Sequence, residues 1–309
     1  MADPTTIHLP SRDRESWLAE RRTGIGGSDA PAVLGVSRFD TPLGVYLDKR
    51  GERPPKPDTS AMAWGRRLEP LIRDAYADAT GRTVRVPTTI LRHPHHPYMI
   101  GSIDGVTDDA RLLEIKTART SEDWGEAGTD QVPDAYLVQV QHYLAVTGLR
   151  LADVAVLIGG SDFRLYEVPA DPELQATLEQ IEAAFWGRVQ RGEPPDPVTY
   201  EDATTRWRIS TARMVQADPA TRAALEQLRA ANAAIKQFEA EADRLKTIVC
   251  AALGEADTLA DGETVLATWK TGKAPERFDA KALQAAQPDL YRQFVKTGEP
   301  SRRFLLKGE

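Results

Sequence analysis

Cysteine is nearly absent: Cys250 stands alone in 309 residues. One thiol excludes an internal disulfide and any cysteine-ligated zinc or iron–sulfur centre built within one chain. Long hydrophobic runs are missing too, and none approaches the ~20 apolar residues of a spanning helix. The amino-terminal stretch is polar and mixed in charge, so no secretory signal is expected there. A reducing cytoplasm is the expected location. Positive charge is in deficit, with 39 Lys and Arg against 46 Asp and Glu and a formal net charge of −7. That balance excludes a uniformly basic surface, but not a local basic patch for nucleic acid beside an acidic metal site. What is present is ordinary for a folded chain: 41% hydrophobic and 28% charged residues, in a length that suits one large or two modest domains.

Periodicity and boundary residues predict short helices from residues 28–29 (SDAPAVLG) and over 41–50. An exposed loop (ERPPKPDTS) follows, then a helix over 61–80 that stops at Gly81. Further helices are predicted over 133–147 and 171–191. The strand candidates are RTVRVPTTIL, YMIGSIDGV, RLLEIKTA, DVAVLIGG and FRLYEVPA. Strands mixed with helices in this order predict an α/β layer fold with a central mixed sheet flanked by helices. The Pro-rich RGEPPDPVTYED (191–202) is expected to link to a second region. That region opens with one long helix over 219–253, followed by a small β element turning at residues 261–262. Leu225, Leu228, Ile235, Phe238, Leu245 and Val249 are spaced nearly as heptads, with Asn232 on the seam. Such a helix packs on its own chain or on a partner. Residues 269–309 hold nine Lys/Arg against five Asp/Glu, a basic end that suits DNA, an acidic partner or plain solvent.

The informative stretch is GSIDG, seven residues, then LEIKT. Glu114 and Lys116 are two apart on a strand and so share a face, while Ile115 between them faces the core. If the strand ending at Asp104 pairs with the next as a hairpin, two carboxylates and a lysine converge. Two close acids repel, and a hard divalent cation removes that cost. Asp104, Glu114 and the backbone carbonyl of Ile115 would be ligands for Mg²⁺, and Lys116 would orient a water or offset charge on a phosphate. A solvated strand face explains the same spacing, so the neighbouring segments matter.

Three segments add to it. Glu69 (AWGRRLEPLIRDAY) lies on a helix, in line with Trp64, Leu68 and Ile72; it is a third carboxylate for the ion, or a surface partner of Arg66 or Arg73. In YLVQVQHYLAVTG, Gln139 and Tyr143 are four apart and share a helix face, with Gln141 turned off it. In RRTGIGGSDAPAVLG, Ser28 is a natural N-cap with Pro31 in the first turn. A glycine-flanked helix start is an anion site to which Arg22 would add a bidentate phosphate contact. No Gly-Lys-Ser/Thr follows, so this is not a Walker A loop.

These segments, in this order, resemble the YqaJ-type viral recombinase, or phage lambda exonuclease, family of the PD-(D/E)XK nuclease superfamily. The likeness spans about residues 15–150, with Ile103 where the family's usual proline precedes the aspartate. The resemblance implies a restriction-endonuclease-like core over residues 1–200, with 201–309 as a helical/β accessory region. It implies a Mg²⁺-dependent 5′→3′ exonuclease acting on double-stranded DNA ends, with Mn²⁺ as a substitute. Glu69, Asp104, Glu114 and Lys116 take the family's catalytic positions, Gln139, Gln141 and Tyr143 match its glutamine helix, and Arg22 and Ser28 match its 5′-phosphate pocket. A homo-oligomer, with a trimer as one form, and a single-strand annealing protein as partner also follow from the resemblance. The competing readings are a structure-specific or single-strand nuclease of the same fold, and a non-catalytic DNA-binding adaptor. HPHHP (93–97) is broken by prolines and is expected to be a turn, not a zinc site; Trp124 is expected in the core, at an interface, or as a wedge against a terminal base.

Overall fold

The computed structural model describes residues 5–7, 14–54, 57–298 and 300–307. Most of the polar amino-terminal stretch and residues 55–56 of the expected exposed loop lie outside them. Two compact units divide the chain, residues 1–208 and 209–309.

The first unit is α/β. Its main sheet has the order β3-β6-β7-β8-β9, made by Val84–Arg85, Gly105–Thr107, Leu112–Ala118, Leu151–Ile158 and Asp162–Pro169. β7 and β8 are parallel, with seven consecutive register pairs from Leu112↔Ala152 to Ala118↔Ile158, and the other neighbours are antiparallel. The sheet is therefore mixed, as expected. A smaller sheet, β1-β4-β5-β2, comprises Thr5–Ile7, Ile90–Arg92, Met99–Gly101 and Ile25–Gly26. Two expected strands are each split in the structure: Pro87 interrupts the first, between β3 and β4, and the Ser102–Asp104 turn separates β5 from β6.

Helices cover both faces of the main sheet. α4 (Ser60–Thr80) packs Ile72 and Tyr76 on Leu113, Ile115 and Ala155. α5 (Asp134–Thr147) packs Val140, Tyr143 and Leu144 on Leu112, Val154 and Val156. Alternate residues of β7 thus serve opposite layers, as the two-residue period requires. The helix ends follow local chemistry. Thr59 caps α4 by accepting from the Met62 N–H, and α5 stops at Gly148, whose φ of 69° suits a residue without a Cβ. α1 (Arg14–Arg21), α2 (Ala30–Val33) and α3 (Pro42–Lys49) precede them, and α6 (Pro172–Arg191) packs Phe185 and Val189 on Ile25, Leu43 and Tyr46. Between α5 and α6 a wholly buried pair, His142 Nδ1 to Glu182 Oε1 at 2.8 Å, meets the Ile100 carbonyl on the other ring nitrogen. Burial works against a charged His142, but Glu182 outweighs it and its pKa is raised.

The stretch expected to link to a second region is held within the first unit. Arg206 donates to the Pro194 and Pro195 carbonyls. α7 (Tyr200–Arg206) turns Asp202 inward to accept from Thr41 Oγ1 at 2.8 Å. The second unit contains α8 (Pro219–Leu253), the hairpin β10 (Thr258–Asp261) and β11 (Thr264–Thr268), α9 (Ala280–Ala286) and α10 (Pro288–Phe294). Among its described residues Leu253 alone is buried. No helix among the described residues is long and apolar enough to cross a membrane.

Candidate active site

Glu114 and Lys116 project from β7 toward α5, on the face opposite Leu113 and Ile115. Lys116 Nζ donates to Glu114 Oε1 at 2.5 Å and to Gln139 Oε1 at 3.0 Å. Gln139 Nε2 donates to the same Glu114 oxygen at 2.7 Å. Lys116 also lies 4.8 Å from the centre of the Tyr136 ring, a cation–π contact. Asp104 ends the turn before β6, and its Oδ2 accepts from the Ile115 N–H at 2.8 Å. The hairpin of β6 and β7 therefore brings Asp104 beside Glu114.

This array is out of electrostatic balance. Burial, and then the charge of Glu114, push the Asp104 pKa well above the usual carboxylate range, with Glu69 adding to the rise and Lys116 opposing it. Burial works against the Lys116 ammonium, but Glu114 and Asp104 outweigh it and raise its pKa. Burial and the same two acids also raise the Tyr143 phenol. Glu114 Oε2 is buried with no hydrogen-bond partner. An orphaned carboxylate oxygen beside a second, half-buried carboxylate is an uncompensated cost. The donor set fits a hard cation such as Mg²⁺, which takes one or two carboxylates and keeps several waters.

Two expected members have partners of their own. Glu69 pairs with Arg73 at 2.5 Å across one helical turn, and among the described residues no three acidic, His or Cys side chains form a metal cage. The charge of Glu69 nonetheless reaches Asp104, whose pKa it helps to raise. Gln141 does not join the array. Its amide donates to the Pro169 carbonyl, and its oxygen accepts from the Asp171 N–H and from Gln175, tying α5 to the start of α6. Trp124 is no exposed wedge; it is buried against Tyr136 and Tyr166, with ring centres 5.6 and 5.2 Å away. His93 Nδ1 accepts from the His95 and His96 N–H groups, closing the expected turn.

The anion site also differs from expectation. Ser28 is not an N-cap. That place belongs to Asp29, and α2 is a single turn of four residues. The guanidinium that reaches Ser28 Oγ, at 2.8 Å, is Arg21 and not Arg22. Helical phase explains the exchange: Arg21 sits four residues after Trp17 and lies over its ring at 4.9 Å. Arg21 also meets Asp29, which Lys49 binds at 2.6 Å with a fully buried side chain. Burial would raise the Asp29 pKa, but Lys49 and Arg21 hold it below the ordinary value. Trp17, Arg21, Gly26, Ser28, Ser102 and Tyr143 are among the residues lining a cavity of about 140 Å³. Gly27 is required here, because a Cβ on it would lie 2.4 Å from the Tyr143 ring. Tyr143 joins the cavity to the carboxylates, since Gln139 donates to its hydroxyl at 3.5 Å. Arg21, Asp29, Lys49 and Tyr136 escaped the sequence reading. Only the four-residue spacing of Trp17 and Arg21 was a usable signal.

Residues 16–150 match the family model described as the YqaJ-like viral recombinase domain. The chain is 32% identical to the uncharacterized protein YqaJ of Bacillus subtilis (strain 168) over 306 residues, 95% of this chain and 94% of that protein. Among solved structures, an alkaline exonuclease (LHK-Exo) from Laribacter hongkongensis is similar at 21% identity and a TM-score of 0.49, over 58% of this chain and 94% of that one. A phage-related exonuclease from Haemophilus somnus 129PT is similar at 11% identity and a TM-score of 0.42, over 57% and 97%.

Proposed function

This chain belongs to the YqaJ-like viral recombinase family, and from that premise we propose that it is a Mg²⁺-dependent exonuclease that degrades duplex DNA from its 5′ ends in phage-type recombination. One observation carries the reading: the buried, unpartnered Glu114 Oε2 beside Asp104, with Lys116 and Gln139 on the other Glu114 oxygen. Asp104 and Glu114, with the Ile115 carbonyl, would hold the cation, and Mn²⁺ would substitute. Bound there, Mg²⁺ supplies a water of lowered pKa and neutralises charge on the scissile phosphate. Lys116 places a fixed positive charge where negative charge develops on the phosphorus oxygens. Gln139 holds that ammonium in place, and Tyr136 and Trp124 shield it from bulk water. Glu69, whose charge already bears on Asp104, is the proposed third carboxylate of the site. A single-strand annealing protein is the proposed partner.

Arg21 and Ser28 form the proposed receptor for a terminal 5′-phosphate. Arg21→Ala is expected to reduce the preference for 5′-phosphorylated over 5′-hydroxyl ends by about tenfold, the range for losing one charge-assisted contact. Arg22→Ala is expected to leave it unchanged. Initial rates on the two kinds of end measure this, and an equal loss in both variants removes the receptor from the proposal.

The activity itself is tested on linear and covalently closed duplex DNA with Mg²⁺ or EDTA. Mononucleotides released from linear DNA alone, and only with Mg²⁺, are the expected result. Cleavage of closed circles would identify an endonuclease of the same fold. Binding without cleavage would identify an adaptor.

A further inference from the structure

Helix α8 carries an apolar stripe that the rest of the second unit leaves uncovered. Leu228, Ile235, Phe238, Leu245 and Val249 are 37%, 55%, 75%, 49% and 38% exposed. They fall in an unbroken alternation of three and four: Leu228, Ala231, Ile235, Phe238, Ala242, Leu245, Val249, Ala252. This spacing moves Asn232, expected on the seam, to its flank. A 3.5-residue period held over about four heptads keeps in register with another helix, whereas a stripe meant for a globular surface is broader and follows the 3.6-residue turn. The unit also has almost no interior of its own, with Leu253 as its one buried described residue. A fold with so little burial gains its apolar contacts from an added surface.

We propose that α8 pairs in parallel with α8 of a second copy of this chain, forming a two-stranded coiled coil. Three observations point to a second copy. One seam position holds Leu228, Ile235, Ala242 and Val249 and the other Ala231, Phe238, Leu245 and Ala252, so the β-branched residues fall at the first alone, the placement that favours two parallel strands. Along the flanks, Glu241 faces Lys246 of the second copy, and the symmetry repeats the attraction; Gln227 faces Asn232, and no like charges meet. Lys307 meets α8 off the seam, where its carbonyl accepts from Arg229. The helix has 35 residues, giving a contact about 50 Å long. Nothing in this pairing depends on the nuclease reading.

Sedimentation of the full chain tests it. The native protein is expected to run as a dimer or a multiple of one, and Ile235→Glu with Phe238→Glu is expected to halve that mass. In a Cys250→Ser background, Ala231→Cys is expected to form a disulfide with itself between copies under mild oxidation, because equivalent seam positions meet only in a parallel, in-register pair. This cross-link stands even where the double variant lowers helix content. A monomer at tens of micromolar overturns the proposal. So does an assembly whose mass ignores the glutamates, or one that gives no cross-link at residue 231. Any of these three results would leave the stripe to a surface other than a second α8.

Discussion

Lys116→Ala is expected to lower turnover by about 100- to 1000-fold, the loss typical of removing one preorganised charge from a reacting phosphate or carbonyl, while DNA affinity stays within a few-fold. The asymmetry follows from where the ammonium sits. Its side chain is only 17% exposed, enclosed by Glu114, Gln139 and the Tyr136 ring. It therefore adds little to the phosphate contacts that dominate affinity and its salt dependence. Its raised pKa keeps it charged wherever the fold persists. Single-turnover nucleotide release and fluorescence anisotropy separate the two quantities. Near-normal turnover would remove Lys116 from the chemistry. Parallel losses in both measurements would recast it as a DNA-binding residue.

Asp104→Asn is expected to abolish Mg²⁺-dependent activity and, in the metal-free protein, to raise stability at neutral to alkaline pH. Unfolded, the Asp104 carboxyl ionises near its ordinary value; folded, it keeps its proton to a higher pH, chiefly because it is buried and next because Glu114 is close. Between those values the folded state binds more protons, so the stability of metal-free protein falls as pH rises through the folded pKa. Asparagine cannot ionise and removes that fall. Each kcal/mol relieved raises Tm by about 2–4 °C in a unit of this size. Mg²⁺ reverses the ranking: at about 100 times its Kd it stabilises the native chain by about 2.7 kcal/mol, and the variant gains little. Thermal melts against pH, with and without Mg²⁺, check both halves. A native chain whose Tm ignores Mg²⁺ at every pH would sink the metal assignment.

The parts of the site legible in the sequence are those set by local periodicity. Glu114 and Lys116 share a face because a strand repeats every two residues, and Gln139 aligns with Tyr143 because a helix brings residues four apart together. The alternation of strands and helices likewise foretold a mixed sheet with helices on both faces. Gln141 was harder, because α5 is enclosed on every side. Val138, Gln139, Val140, Gln141, His142, Tyr143 and Leu144 are all buried, so no polar stripe tells which glutamine faces the strand. Arg21 and Arg22 are adjacent, and only the phase of α1 selects between them. The Asp29–Lys49 and Thr41–Asp202 contacts join residues 20 and 161 apart, which no local pattern encodes. Glu69 pairs with Arg73 and not with Arg66, a choice that spacing leaves open because both lie within about one helical turn.

The parallel pairing of β7 with β8 has one last consequence. Because neighbouring side chains alternate between layers, a slip of a single residue would turn Glu114 and Lys116 under α4 and drive Leu113 and Ile115 toward Gln139. The array and the hydrophobic interior are thus written in the same seven pairings. A misaligned ladder would bury two charges in oil and strand two aliphatic groups among polar ones, so a well-folded but catalytically inverted molecule has no stable form. In this chain, correct threading and chemical competence are one event.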